Sequence, residues 1–99
     1  MPGVTSEHGA SFRVAAHVSW ALESCGIRVV DRQTNGVRVL DYPRAAVWDC
    51  VARGRTYVQT LRLLCALYPV DESGAERMVL QCLSEWMKWG LVTRVNEHD

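Results

Sequence analysis

The chain contains no apolar run that approaches the roughly 20 residues needed to cross a bilayer. Its first residues also lack a basic region followed by an apolar stretch, so no secretory signal is visible. We therefore expect a cytoplasmic protein that does not enter a membrane. Net charge is absent too, since 11 basic residues cancel 11 acidic residues. Without an overall positive field, the chain is a weak candidate for binding nucleic acid.

Cysteines at metal-binding spacing are also missing. The four cysteines are Cys25, Cys50, Cys65 and Cys82. None of them forms a C-x-x-C pair, and the last three stand in apolar helical stretches, which is typical of small core residues in a reducing compartment. The three histidines are His8, His17 and His98. No pairing of histidine with a nucleophile is suggested, so we expect no catalytic residue, no metal site and no cofactor.

The length and composition indicate one ordinary globular domain. The chain has 99 residues, of which 48% are apolar and 22% are charged. Residues 1–16 mix glycine, serine, proline and charge without a clear period. We therefore predict a flexible N-terminal tail over residues 1–16 and a folded domain over residues 17–95.

The first part of the predicted domain has the pattern of β-strands. Apolar and polar residues alternate over residues 18–23, and residues 27–31 are rich in β-branched side chains. Asn35 and Gly36 are typical of a tight turn because both tolerate positive φ, and residues 37–40 form a third apolar stretch. The short connections predict an antiparallel meander of three strands.

Two helices are predicted after the strands. Asp41 is a candidate cap for the first helix, and Gly54 lies where a left-handed residue would end it. Thr56 and Gln59 form a capping box that begins the second helix, which Pro69 closes.

A third helix follows. Ser73 and Glu76 have the spacing of another capping box, and the helical pattern continues to Trp89 with Gly90 as the stop. Residues 91–95 are predicted to be a short extended segment. The sequence thus predicts an α+β domain in which a three-stranded antiparallel sheet precedes a three-helix bundle.

The third helix has more apolar residues than one core face requires. The residues predicted to face the bundle are Val79, Cys82, Leu83 and Trp86. Leu80 and Met87 fall outside that stripe, on a neighbouring face edged by polar residues. Such a strip often marks a partner site. The alternative is a helix that is buried on two sides.

The predicted sheet supplies a second candidate surface. Its third strand, residues 37–40, lies at an edge and would present unpaired N–H and C=O groups that can accept another strand. Because this strand leads directly into the first helix, we expect a groove between it and another helix. The alternative is that the N-terminal tail or a loop covers the edge.

Several segments resemble the PqqD-like family, also described as the RiPP recognition element. They are residues 26–31 (G-I-R-V-V-D), the turn Asn35 and Gly36, residues 39–41 (V-L-D), residues 45–48 (A-A-V-W), residues 54–56 (G-R-T), residues 67–71 (L-Y-P-V-D), and Val79, Leu83 and Trp86 followed by residues 90–92 (G-L-V). The resemblance covers residues 18–92, and the order and spacing are more specific than any single segment. One departure is Trp86, where the family has a smaller aliphatic residue.

The resemblance implies a fold and a function. The family fold is a variant of the winged helix-turn-helix, and its members are not enzymes. They bind the leader of a ribosomally made precursor peptide by strand addition and present it to a modifying enzyme. That enzyme is a radical S-adenosylmethionine protein in pyrroloquinoline quinone synthesis and a leader peptidase in lasso-peptide systems. The implied peptide-binding residues are Val37, Arg38, Val39, Leu40, Arg77, Leu80, Gln81, Ser84 and Met87.

Two other functions remain open at this point. A winged helix can bind DNA, and the third helix carries Arg77, Gln81 and Lys88, although Glu76 and Glu85 oppose contact with a phosphate backbone. A homodimer through the free strand edge or the apolar strip is the other alternative.

Overall fold

The computed structural model describes residues 11–95, so His8 and His98 lie outside the described residues. The elements in chain order are β1 (Ser11–Val14), β2 (Val18–Glu23), β3 (Gly26–Asp31), β4 (Gly36–Asp41), α1 (Arg44–Ala52), α2 (Tyr57–Leu67), α3 (Glu72–Lys88) and β5 (Val92–Val95). Within this part of the chain, no helix combines the length and the apolar character needed to span a membrane.

The main sheet has the predicted order, β2-β3-β4, and both pairings are antiparallel. Trp20, Val29 and Arg38 stand opposite one another across the three strands, so they share one face of the sheet. Asn35 adopts a φ of 61° in the turn before β4, as its sequence pattern predicts. The α+β architecture with a three-stranded meander and three helices is therefore confirmed.

Gly26 is required where β3 begins. A side chain at this position would overlap the carbonyl oxygen of Leu40 on the neighbouring strand. The absence of a Cβ lets the two backbones approach closely, which holds β4 against β3 in a fixed register.

A second sheet corrects the prediction of a loose tail up to residue 16. Ser11–Val14 forms β1, which pairs antiparallel with β5 from Ser11 opposite Val95 to Val14 opposite Val92. Phe12 and Val14 also pack against the core. The predicted boundary at residue 17 thus falls inside the folded part of the chain. The reason is a pairing partner about 80 residues away, which a local periodicity cannot reveal.

The start of α1 differs from the prediction. Asp41 is the last residue of β4, and Pro43 occupies the cap position of α1 without a side-chain hydrogen bond. Thr56 and Gln59 form the predicted capping box at the start of α2. The predicted stop is also confirmed, since Gly54 has a φ of 76°.

The start of α3 also needs correction. Asp71 caps it by accepting a hydrogen bond from the backbone N–H of Gly74, so Ser73 and Glu76 are not its capping box. An aspartate carboxylate satisfies the free N–H groups of the first turn and favours the positive end of the helix dipole. The helix then ends as predicted at Gly90, which has a φ of 75°.

Three tryptophans connect the sheet to the helices. The Trp48 ring lies edge-on to Trp86 at 5.2 Å and edge-on to Trp20 at 6.3 Å, measured between ring centroids. Trp48 and Trp86 are fully buried. Trp86, the departure from the family pattern, is therefore an enlarged core residue.

The helix cysteines divide into two groups. Cys50 and Cys82 are buried as predicted, whereas Cys65 is exposed on α2, which corrects its prediction as a core residue. Burial is the main cause that raises the pKa of the Cys50 and Cys82 thiols.

Candidate functional site

Strand β4 is an open edge of the main sheet within residues 11–95. Among the described strands it pairs only with β3, and the side chains of Val37 and Val39 are 53% and 55% exposed. Hydrogen-bonded and non-hydrogen-bonded residue pairs alternate along antiparallel strands. The two-residue turn between β2 and β3 sets this alternation for the β2–β3 pairing, and β3 carries it over to its pairing with β4. This alternation directs the backbone N–H and C=O groups of Val37 and Val39 away from β3. Both residues therefore offer hydrogen bonds to an additional strand.

A depression of about 240 Å³ lies beside this edge. The residues that line it are Arg38, Val39, Leu40, Asp41, Arg44 and Trp89. It joins the free backbone edge of β4 to the C-terminal end of α3, so a strand added to β4 would place alternate side chains above Trp89.

Arg38 is held over Trp89. The guanidinium carbon is 3.6 Å from the centre of the indole ring, a cation–π geometry. Within residues 11–95 the Arg38 guanidinium makes no ion pair with a carboxylate. Its N–H groups are therefore positioned for an acceptor that the described part of the chain does not supply.

Arg44 connects the start of α1 to α3. Its Nη2 atom donates to Oε1 of Glu85 at 2.5 Å, so this cation is already neutralised. The buried Cys82 thiol lies near this ion pair. Burial raises the pKa of the Cys82 thiol, and the nearby Arg44 partly opposes that rise. Arg44 therefore contributes to the depression mainly as a lining residue held in place by Glu85, and less as a free charge for a ligand.

A second groove, of about 350 Å³, lies along a different flank of α3. The residues that line it are Phe12, Tyr57, Leu80, Leu83, Ser84, Met87 and Arg94. Leu80 and Met87 are 45% and 42% exposed, which confirms the apolar strip expected on α3. Its opposite wall is formed by Phe12 of β1 and Arg94 of β5, two strands that lie next to each other.

The structure does not bring all the predicted site residues into one groove. Val37–Leu40 belong to the β4 edge, whereas Leu80, Ser84 and Met87 line the second groove. Arg77 and Gln81 are exposed on α3 and line neither of the two. Spacing groups residues on one helix face, but it does not give the rotation of that helix relative to a sheet edge.

The sequence reasoning missed Arg44, Trp89 and Phe12. Trp89 was assigned only as the end of α3, although a tryptophan at an exposed helix end is a signal that could have been followed. Phe12 lay in the segment predicted to be loose. No local pattern marked Arg44 as a contact of α3, because its partner Glu85 is 41 residues away.

Among residues 11–95, no three histidine, cysteine, aspartate or glutamate side chains gather as a metal site. The Nε2 atom of His17 lies 3.8 Å from Oδ1 of Asp31, at the entry to β2. Asp31 Oδ1 also accepts the backbone N–H of Gln33, which is a turn-forming role.

The exposed polar side chains of α3 have mixed charge. Arg77, Gln81 and Lys88 are exposed, but so is Glu76, and Glu85 is committed to Arg44. A helix that enters the DNA major groove needs several donors directed toward bases and phosphates. The charge pattern on α3 does not favour that use.

Comparison with solved structures connects this fold to peptide-bound proteins. The chain is similar to a lasso peptide synthetase B1 complexed with the leader peptide, with a TM-score of 0.77, 19% identity, and coverage of 84% of this chain and 98% of that chain. It is also similar to TbiB1 in complex with the TbiA(beta) leader peptide, with a TM-score of 0.77, 21% identity, and coverage of 81% and 93%. No protein-family model and no curated protein matches the chain. At these identities the likeness shows the fold, and it is the fold that the PqqD-like resemblance predicted.

Proposed function

We propose that this protein binds the leader segment of a ribosomally made precursor peptide and presents it to a modifying enzyme. The observation that carries the proposal is the open β4 edge beside a depression that reaches α3. Two solved proteins with the same fold are described as complexes with leader peptides, which supports the same use here.

In this proposal the leader adds as an extended strand beside β4. The backbone groups of Val37 and Val39 supply hydrogen bonds that tolerate many leader sequences, while the pockets under alternate side chains provide specificity. Arg38 and Leu40 lie on the face toward the helices, since Leu40 is buried opposite Ile27. A leader residue opposite Arg38 would therefore point into the depression.

Arg38 gives the proposed site a chemical preference. Its guanidinium is oriented by Trp89 and has no carboxylate partner within residues 11–95. An aspartate or glutamate in the leader at the position opposite Arg38 would supply that partner. Cross-strand pairs of opposite charge contribute roughly 0.2–1 kcal/mol each, so we propose this contact as a selector among leaders rather than as the main source of affinity.

We further propose a second contact area on α3. Arg77, Leu80, Gln81, Ser84 and Met87 would bind leader residues that continue beyond the added strand. The leader would have to cross α3 to reach this second area. An α-helix with its side chains is about 10 Å wide, and three or four extended leader residues cover that distance. Exposed Leu80 and Met87 offer apolar surface to that segment.

The remaining parts of the proposal concern the cellular role. We propose a cytoplasmic, non-catalytic partner protein without a cofactor, and a modifying enzyme such as a radical S-adenosylmethionine protein or a leader peptidase as its second partner. Ordering a flexible leader opposes binding, so we expect an affinity between micromolar and nanomolar, about −8 to −12 kcal/mol.

The experiment that tests the function is a titration followed by amide NMR. The isotope-labelled full chain is titrated with the leader of a precursor peptide encoded nearby, and with a scrambled leader as the control. Shifts concentrated on residues 37–40, with a separate set on residues 77–87, are expected. Binding of duplex DNA without binding of any leader would instead make the protein a winged-helix regulator.

A further inference from the structure

The opposite edge of the main sheet carries an uncovered apolar surface. Strand β2 pairs only with β3 within residues 11–95. Leu22 is 67% exposed, more than any other large apolar side chain described, and Trp20 is 41% exposed. Both side chains lie on the face that carries the helices, because Trp20 touches Trp48 of α1. Strand β2 therefore extends past the helical layer and leaves two large apolar residues in solvent.

The backbone of β2 is arranged to accept a strand. Glu23 and Gly26 close the two-residue turn as a hydrogen-bonded pair, and the alternation then directs the backbone groups of Trp20 and Leu22 to the free edge. The only charged side chain on β2, Glu23, already accepts from Nε of Arg28 at 2.8 Å. Within the described chain, this edge thus lacks the lysine, proline or bulge that proteins use to block edge pairing.

The pattern of β2 is complementary to itself. In an antiparallel pair of β2 strands related by a twofold axis at Ala21, Trp20 of each copy stands opposite Leu22 of the other. Ala21 then faces its own counterpart, and Glu23 faces Ser19, so no like charges meet. The outward backbone groups of Trp20 and Leu22 pair across the twofold axis, and each of the two exposed apolar side chains gains one apolar cross-strand neighbour.

We propose that β2 is a homodimerisation edge, with a second copy of this chain as its occupant. The dimer forms one continuous six-stranded sheet in which the two β4 edges lie at opposite ends. The contact is small, since an aromatic side chain buries roughly 150–250 Å² and stable complexes bury at least about 1,200 Å² in total. The dimer is therefore expected to be weak and to form only as the protein concentration rises.

This inference does not depend on leader recognition. A dimer through β2 leaves β4 open in both copies, so each dimer presents two separate peptide-binding edges. Dimerisation and leader binding are accordingly measured on different surfaces, and failure of one does not imply failure of the other.

The first test is sedimentation velocity of the full chain from about 5 to 500 µM. The wild type is expected to shift from monomer to dimer over this range. Leu22→Lys is expected to remain monomeric, whereas the matched control Leu67→Lys, at a leucine that is 60% exposed on α2, is expected to dimerise like the wild type. A wild type that stays monomeric at the highest concentration overturns the proposal, as does a dimer that Leu22→Lys leaves intact.

The second test fixes the register. Ala21→Cys, made in a chain where the exposed Cys25 and Cys65 are replaced by serine, is expected to form an intermolecular disulfide with oxidised glutathione, because paired Cα atoms lie about 4.5 Å apart. Ser19→Cys is the matched control, since its counterpart is displaced by four residues along the strand. Efficient cross-linking of the Ser19→Cys variant, with none for Ala21→Cys, would refute the proposed register.

Discussion

Replacement of Val39 by proline isolates the backbone contribution of the β4 edge. Proline removes one N–H group, and the alternation along β4 places the Val39 N–H on the side away from β3. Proline is tolerated on edge strands when its missing N–H faces solvent. We therefore expect Val39→Pro to fold with a melting temperature close to that of the wild type.

The expected effect on leader binding follows from hydrogen-bond energies. The lost hydrogen bond contributes about 0.5–1.5 kcal/mol, and a peptide carbonyl left without a partner in the depression costs about 1–3 kcal/mol. The two terms together amount to about 1.5–4.5 kcal/mol. Since 1.4 kcal/mol corresponds to a factor of ten, leader affinity should fall by at least about tenfold and at most by somewhat more than a thousandfold. Isothermal titration calorimetry with the leader measures this change, and circular dichroism melting checks the fold.

Val39→Thr is the matched control for this experiment. Threonine keeps the backbone N–H and the β-branched shape, so the affinity should remain within about threefold of the wild type. If Val39→Pro keeps the wild-type affinity while its melting curve is unchanged, the leader does not bind as a strand on β4. The same outcome would leave the second groove as the binding site.

Four further substitutions or conditions test other parts of the site and core. Arg38→Gln should lower the affinity for a leader with an acidic residue opposite Arg38 by about 1.4- to fivefold and should flatten the salt dependence measured by calorimetry. Met87→Asp should fold normally by circular dichroism but weaken leader binding at least about tenfold, and unchanged affinity would confine the site to β4. Leu83→Ala should lower the free energy of unfolding by roughly 2–5 kcal/mol in urea titrations, because the side chain is buried. Burial raises the pKa of the Cys50 and Cys82 thiols, so the folded state holds these protons more tightly than the unfolded state does. The free energy of unfolding should therefore be unaffected by the two thiols below their unfolded pKa of about 8.5 and should fall as pH rises through their raised folded-state pKa. Urea titrations from pH 7 to 10 should show this decline, and a variant with alanine at both positions should show less of it.

The elements with strong local signals were predicted well from the sequence. Strands β2 to β4 follow from alternation and turn chemistry, and the α2 capping box and the two glycine stops were each identified at the right residue. These signals are local, because a cap or a left-handed glycine acts within one turn of chain. The core stripe of α3 was also predicted, since four residues at helical spacing share one face.

The errors arose where a distant partner decides the outcome. β1 became ordered because β5 offers it a strand edge, and its own four residues carry no distinctive pattern. Asp71 caps α3, although Ser73 was predicted to do so. Both residue types are good helix caps, and the spacing of Ser73 and Glu76 does not show which of the two begins the helix. The peptide-binding residues were predicted to share one groove, whereas the structure places those of β4 and those of α3 beside different depressions. Sequence spacing placed Leu80 and Met87 together, while only the packing of α3 against β1 and β5 shows that they face Phe12 and Arg94.

The two open edges of the main sheet, β4 and β2, differ in the residues that lie beside them. This difference is the reason we propose a leader peptide at β4 and a second copy of the chain at β2. At β4, the depression is walled by Arg44 and Trp89, and Arg38 is oriented by a ring contact. A side chain entering there meets fixed partners, which is the condition for selecting one peptide among many. At β2, the helical layer ends and the exposed apolar side chains are Trp20 and Leu22. The affinity of this edge for another strand therefore depends on the apolar side chains that the partner places against them. A second copy of β2 supplies such side chains, whereas a flexible leader bound there would find no pocket to repay its loss of conformational entropy.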